Sequence, residues 1–273
     1  MSLESEIIIE VGPLMEQMKL TLLAVFAHPD DESFGPAATL AKYVSEGVRI
    51  TLLCATRGEA GEISDPSLAT PETLGQVREE ELRSACRVIG IRELRFLGYR
   101  DGQMESYDPQ EVEGKVVRAI REVRPQVVLT FGPDGISGHL DHIAIGKATT
   151  DAFFSAGEEE SFSEHMAEGL SPHKAAKLYY VAVPRSRFRA MSLDVPGTCD
   201  DQITTVIDVL PFLEVKKRAV AYHRTQLPPS NIFAQMSDEE MRKWWGKEHF
   251  VLAASRVGLP SGMETDLFWG LRK

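Results

Sequence analysis

Two short segments carry most of the clustered histidine and aspartate of the chain, AHPDDE at residues 27–32 and GHLDH at residues 138–142. His28 and Asp31 are three apart across a proline turn, so both side chains can address one centre. His139 and His142 are three apart at an expected helix start, where His142 can address the same centre while His139 stands beside it. Two imidazoles and one carboxylate make an open metal set that leaves a coordination position for water, so His28, Asp31 and His142 are the expected ligands. A divalent ion lowers the pKa of its water toward about 7 and polarises a carbonyl, yet hydrolysis also needs a proton acceptor and a group to serve the leaving nitrogen. Asp30, beside a ligand but not required as one, is the expected base. His139 is expected to stabilise the tetrahedral intermediate as a cation, with Asp141 orienting it and favouring its charge. Adjacent aspartates also cap helices, but a cap uses one such residue and here there are two.

For these segments to meet, they must lie at the ends of neighbouring strands. Short apolar runs alternate with amphipathic stretches of helical length, the pattern of an α/β fold. Residues 20–26 (LTLLAVF) form an expected strand that is apolar on both faces, as a central parallel strand requires. A helix over 37–45 follows, with Pro36 at its first turn and Gly47 past its end. Residues 48–55 give a second strand and 74–89 a long helix ended by Gly90, with Val77, Leu82, Ala85 and Ile89 on its buried face. A short strand at 94–97, a helix at 111–123 and a strand at 126–131 complete the series, and a further helix runs from beyond His139 to about residue 156. Later come a strand at 177–183, a helix at 209–222 and a helix at 238–245 with Ser237 as its cap. The acidic stretch at 157–173 reads as a partly helical, solvated surface, and the opening residues as a tail or an added edge strand. The expectation is one domain over 1–273, a Rossmann-like, mostly parallel sheet flanked by helices, with the motif-bearing core at about 18–156. In such a sheet ligands bind beyond the carboxyl ends of the strands, where AHPDDE, TRGEAGE (56–62), GYRDG (98–102) and GHLDH fall.

Composition narrows the function. The chain has 273 residues, 43% apolar and 26% charged, with a net charge of −11. That is enough apolar content for a globular core, and too little positive field for nucleic acid. No run approaches the roughly 18 apolar residues of a spanning helix, and the acidic start lacks the basic region of a secretory signal, so the chain reads as cytoplasmic. A homo-oligomer is compatible with the sequence. The three cysteines include no CxxC pair and form neither a disulfide framework nor a zinc knuckle; Cys54 reads as core. His165, His173 and His249 read as surface or satisfied core residues. GxGxxG, a P-loop and GxSxG are all missing, and the carboxylates after the first strand attract cations rather than phosphate.

AHPDDE, TRGEAGE, the helix stretch at 78–82, FLGYRDG at 96–102 and GHLDH, with the later HRTQ at 223–226, resemble the LmbE-like or PIG-L family of zinc-dependent N-acetylglucosaminyl deacetylases. The motifs cover about the first 150 residues in consistent order. The resemblance implies a catalytic zinc, with Fe2+, Mn2+ or Co2+ able to take its place, and removal of an acyl group from an amino-sugar conjugate such as an N-acetylglucosamine glycoside. It implies the same ligands and the same proton-handling residues, and adds Arg78, Asp101 and His223 as substrate contacts. His223, at a helix end, has a competing reading as packing. One departure stands out. Family members acting on thiol-linked sugar conjugates can carry a tyrosine two residues before the first histidine of HxDH, and here Ser137 occupies that place.

Two other functions compete. A metal phosphoesterase would use similar ligands but would want further bridging carboxylates and a basic clamp, for which only Arg57, Arg78 and Arg100 are on offer. A non-catalytic sugar- or metal-binding protein of the same fold would be expected to lose its proton-handling residues first, and Asp30, His139 and Asp141 are all present.

Overall fold

The structure is a computed structural model that describes residues 20–228 and 230–272. The opening segment, expected as a tail or edge strand, lies outside the described residues. β1 (Thr21–Phe26) is buried at all six positions, as a strand covered on both faces must be. The chain continues through α1 (Asp31–Phe34), α2 (Ala37–Ser45), β2 (Arg49–Cys54), α3 (Leu74–Ile89), β3 (Glu93–Phe96), α4 (Pro109–Val123) and β4 (Val127–Phe131). α5 (Gly135–Gly138), α6 (Leu140–Ser155), α7 (Glu164–Ala167), β5 (Lys177–Ala182), α8 (Arg185–Ala190) and β6 (Thr205–Asp208) follow. α9 (Leu213–Tyr222), α10 (Ile232–Gln235), α11 (Asp238–Trp245) and β7 (Lys247–Ser255) complete the series.

Seven strands form one sheet in the order β3-β2-β1-β4-β5-β7-β6. β1 to β5 are parallel, while β7 runs antiparallel to both β5 and β6. From β1 the chain steps outward to β2 and β3, then returns to lay β4 on the other side of β1. The connections leaving β1 and β4 therefore diverge to opposite faces, opening the crevice where ligands bind in such sheets. AHPDDE and GHLDH are the segments that leave those two strands. On the helical layers α4 packs with α6, and α3 with α9 and α2.

Apart from the helix expected over 209–222, the expected elements are present with ends within two residues of their expected places. Asp108 caps α4 by accepting from the Gln110 backbone, with Pro109 at the first turn. Ser237 and Glu240 form a capping box on α11. The helix expected over 209–222 begins only at Leu213, behind a 3-10 turn at Leu210–Phe212 that contains Pro211, whose missing N–H suits a helix entrance and not its interior. β6 and β7 were not expected. The acidic stretch is also less free than its charge implies. Arg121, 2% exposed, donates to the carbonyls of Ala156, Glu158, Ser161 and Phe162, tying that excursion to α4. Cys54 is buried in the core.

Candidate metal centre

The loop after β1 is sharply bent. Asp30 adopts φ 117°, ψ −25°, a backbone region that costs a non-glycine residue free energy and persists only when neighbours enforce it. They do so here. The Pro29 carbonyl accepts from Arg78 Nη2 at 2.6 Å, the Asp30 N–H donates to Glu32 Oε2 at 3.1 Å, and the Asp30 carbonyl accepts from the Ser33 and Phe34 N–H groups at 2.9 Å. The bend turns Asp31 back under the end of β1. Its Oδ2 accepts from the Ala27 and His28 backbones at 3.1 and 2.7 Å.

After β4 the chain again takes positive φ, at Gly135 (55°) and Ile136 (62°). Gly135 needs its lack of a side chain: a Cβ there would lie 2.9 Å from Ile143 Cγ1 and 3.2 Å from His142 Cβ. Its carbonyl accepts from His142 Nδ1 at 3.0 Å, and the His142 ring stacks on Phe131 with centroids 4.0 Å apart. His139 is the N-cap of α6, its Nδ1 accepting from the Asp141 N–H at 3.2 Å.

These bonds leave lone pairs facing one another. His28 Nε2 is turned to Asp101 Oδ1 at 2.9 Å and Asp141 Oδ2 at 3.2 Å, so its proton belongs there and Nδ1 is the free donor. His142 donates through Nδ1, which frees Nε2. His28 Nδ1 and His142 Nε2 are 3.2 Å apart; Asp31 Oδ1 is 3.3 Å from the second and Oδ2 3.8 Å from the first. Donors about 2.1 Å from one tetrahedral ion are separated by about 3.4 Å. The donor set therefore fits a divalent metal. His28 also belongs to two other possible ligand groups, one with His139 and His142 and one with Asp101 and Asp141; in the latter the carboxylates face the nitrogen that orients the ring, and Asp141 is already held by the Gly102 and Met104 N–H groups at 2.7 and 3.0 Å. We read that cluster as the outer support of the ligand.

The electrostatics agree. Burial works against a charged His28, yet the bonds to Asp101 and Asp141 and the charge of Asp31 bring its pKa up to about 10. Burial would raise the Asp31 carboxyl, yet the His142 and His28 imidazoles hold it well below the usual range. A proton held among donors with no other cation occupies the place that a metal takes, so metal loading displaces protons.

Asp30 stands beside this set, its Oδ2 3.2 Å from Arg78 Nη2. Burial pushes its pKa up to about 6, Arg78 opposing and Asp31 reinforcing the shift. The His139 ring lies with its centroid 4.8 Å from that of His28 and 4.9 Å from that of His142. Burial and the two neighbouring histidines lower its pKa. The expected side-chain pair between Asp141 and His139 is not formed. His139 uses its ring nitrogen to cap α6, and the Asp141 carboxylate, 1% exposed, points to His28. His139 is thus a neutral donor through Nε2 rather than a cation held by Asp141.

Of the residues expected to touch substrate, Asp101 is on the His28 ring. Arg78 is buried, donating to the carbonyls of Gly58 and Pro29 as well as to Asp30. His223 is fully buried, with Nε2 2.9 Å from Glu32 Oε1 and 3.2 Å from Ser33 Oγ. None of the three lies on an open wall. Two features escaped sequence reasoning. Glu32 and Ser33 form the base that seats His223; Glu32 was visible as the last letter of AHPDDE, but nothing local names its partner 191 residues away. An aromatic cavity beside Asp31 and His142 also draws on α10, α11 and β7, and its only trace in the sequence is the pair Trp244–Trp245.

Residues 23–153 match the family described as GlcNAc-PI de-N-acetylase, PIG-L. The 1D-myo-inositol 2-acetamido-2-deoxy-alpha-D-glucopyranoside deacetylase of Streptomyces avermitilis is 36% identical, over 92% of this chain and 97% of that protein. The chain belongs to the PIG-L family. Among solved structures, the N,N'-diacetylchitobiose deacetylase of Pyrococcus horikoshii is similar with a TM-score of 0.69 at 21% identity, covering 85% of this chain and 83% of that one. The 4-carboxy-2-hydroxymuconate hydratase GalB of Pseudomonas putida is similar with a TM-score of 0.65 at 16% identity, over 88% and 99%. A deacetylase and a hydratase thus share one α/β fold, and the fold alone does not select the chemistry. The side chains must.

The outer support of the candidate metal ligands can be tested directly. Asp101→Asn and Asp141→Asn each remove a charge that orients His28, and supporting changes of this kind cost 10- to 100-fold in metal affinity. Competition with a chelating dye should show that loss for both variants. Unchanged affinity in both would mean that His28 is not a ligand.

Proposed function

We propose that this chain is a metal-dependent N-deacetylase of amino-sugar conjugates, cleaving the amide between an acyl group and a glucosamine-type amine. The observation that carries the reading is the convergence of His28 Nδ1, His142 Nε2 and the Asp31 carboxylate beside a carboxylate, Asp30, that no ligand role requires. Zinc is the metal we propose, and Fe2+, Mn2+ and Co2+ suit the same donors. When bound, the ion supplies a Lewis acid and an acidified water.

The chain's own groups do the rest. Asp30 is ionised above about pH 6 and takes the proton from the attacking water. Neutral His139 donates its Nε2–H to the oxygen that becomes negative as the carbonyl carbon turns tetrahedral. The C–N bond then breaks, the acyl group leaves as a carboxylic acid, and the amine takes up a proton that Asp30 is placed to return. On the flank of Arg78, two buried polar atoms, Arg78 Nε and Glu59 Oε2, have no protein partner among the described residues. Both atoms are closed off from solvent, so they belong to the packing of the loops and not to the substrate's hydroxyls. Asp101 and His223 would act indirectly, through His28 and Glu32.

A phosphoester substrate fits less well. Arg78 is taken up by loop carbonyls and Arg57 pairs with Glu79, which leaves Arg100 of the three, too little for a basic clamp. Residues 1–273 acting as one unit and a cytoplasmic setting belong to this proposal; among the described residues no helix is long and apolar enough to cross a membrane. The test is amine release from N-acetylglucosamine conjugates, including an inositol glycoside, a malate glycoside and diacetylchitobiose. Release that stops with chelator and returns with added metal is expected. No release from any of them by metal-loaded protein would end the reading.

A further inference from the structure

We infer that the cavity beside the metal ligands is an acyl pocket, and that the enzyme accepts N-acyl groups considerably larger than acetyl. The inference rests on the deacetylase reading. The cavity encloses about 270 Å³ and shares Asp31 and His142 with the ligand set. That approaches the roughly 300 Å³ at which small-molecule pockets begin, far more than one methyl group fills.

Its walls are apolar. Phe34, Phe131, Val181, Phe233, Trp244 and Trp245 line it, brought together from α1, the ends of β4 and β5, α10 and α11. Of the charged groups that line it besides the ligands, Lys216, Glu248 and Arg187 are engaged, while Lys247 lies exposed. Lys216 donates to the Gly35 carbonyl and to Glu248 at 2.6 Å, and Glu248 in turn accepts from the Ala38 and Thr39 backbones. Arg187 donates to the Trp244 carbonyl at 2.6 Å. Burial, then the Arg187 and Lys247 charges, push the His249 imidazole down to about 4, so it is uncharged at neutral pH. Apart from Lys247 and Ser137, both exposed, and the uncharged His249, the lining offers sugar hydroxyls few partners.

The opposite flank of the ligand set is different in kind. It holds Asp30, Arg78, Glu59 and Asp101, charged side chains in place of aromatic walls. An N-acyl amino sugar has the same asymmetry, hydroxyl-rich on the amine side of the amide and apolar on the acyl side. With the carbonyl at the ligands, the hydroxyls match the polar flank and the acyl chain matches the aromatic cavity. The reverse placement would bury hydroxyls against aromatic walls with few partners, which costs more than it returns.

The experiment uses one methyl glucosaminide carrying acetyl, butyryl or hexanoyl on nitrogen. Metal-loaded protein should cleave the hexanoyl compound with kcat/KM equal to or above that of the acetyl compound. Trp244 and Trp245 are two of the three tryptophans, so the hexanoyl compound should also change tryptophan emission of metal-free protein more than the acetyl compound does. Val181→Phe should fill the cavity and lower the hexanoyl-to-acetyl ratio by at least about tenfold. Because overpacking a strand can disturb folding, Ser137→Phe at the exposed lip provides a second way to narrow the same space. Cleavage of acetyl with hexanoyl more than 100-fold poorer would overturn the pocket and leave the deacetylase reading standing. So would an emission response to a hexyl aglycone in place of the hexanoyl chain. If no compound is cleaved, the deacetylase reading fails, and the emission arm still decides the pocket: a response to hexanoyl lost in both variants supports it, and no response overturns it.

Discussion

Asp30→Asn is expected to lower kcat by about 10³-fold, within the range that a positioned acid or base contributes, while metal still binds stoichiometrically. Asn keeps the size of the side chain and its tolerance of positive φ, but cannot accept the proton of the attacking water. Single-turnover amine release together with metal analysis of the purified variant checks both halves. A variant that stays within tenfold of the parent would remove Asp30 as the base.

The pKa shift of Asp30 gives the same residue a pH signature. Its folded value of about 6 lies above the ordinary 3.8, so kcat/KM should fall on the acidic side with a midpoint at or below pH 6, since a bound dication adds to Arg78 in favouring the charged form. For stability the sign is opposite. A carboxyl raised on folding binds its proton more tightly in the native state, so stability is lost as pH rises from about 4 through 6 and stays lost above it. Asp30→Asn should therefore raise the melting temperature of metal-free protein at pH 7 while lowering turnover by that same factor of about 10³. That combination separates a group held at a cost for function from one that merely packs.

Much of the first half was legible because its signals are local. The buried run of β1, the periodicity of α3 and the spacings within AHPDDE and GHLDH each lie inside one element or one turn, and they place His28, Asp31 and His142 at one sheet edge. Where a contact depends on which way a helix's first turn faces, the sequence was silent. His139 was expected to lean on the Asp141 carboxylate; instead it caps α6 through the Asp141 backbone, which leaves that carboxylate, two positions further into the turn, facing His28. β6 has only four residues, too few to show an alternation, and β7 follows α11 with Gly246 alone between them, so its apolar positions run on from the helix with no loop to mark the change. The aromatic cavity is tertiary throughout. Trp245 on α11 meets Phe233 on α10 and stacks on it at 5.0 Å, and no local period in a four-residue helix could announce that.

Arg78→Met should destabilise the protein by about 3 kcal/mol, since it removes one partner of a buried ion pair and leaves the others unpaired. Arg78 is 3% exposed and ties the loops after β1 and β2 together: Nη1 donates to the Gly58 carbonyl at 2.7 Å, Nη2 to the Pro29 carbonyl at 2.6 Å and to Asp30 at 3.2 Å. Gly58, at φ 69°, is shaped around it, because a Cβ there would lie 2.3 Å from Nη1. For a chain of this size the loss amounts to roughly 6 to 12 °C in melting temperature. A purely structural role would stop there. Because the guanidinium also opposes the upward shift of Asp30, its removal should move the acidic limb of kcat/KM to higher pH, and Arg78→Lys, which keeps the charge but not the fork, should restore the limb more fully than the melting temperature. A lowered melting temperature with the limb unmoved would confine Arg78 to holding the loops and leave burial alone to set the base.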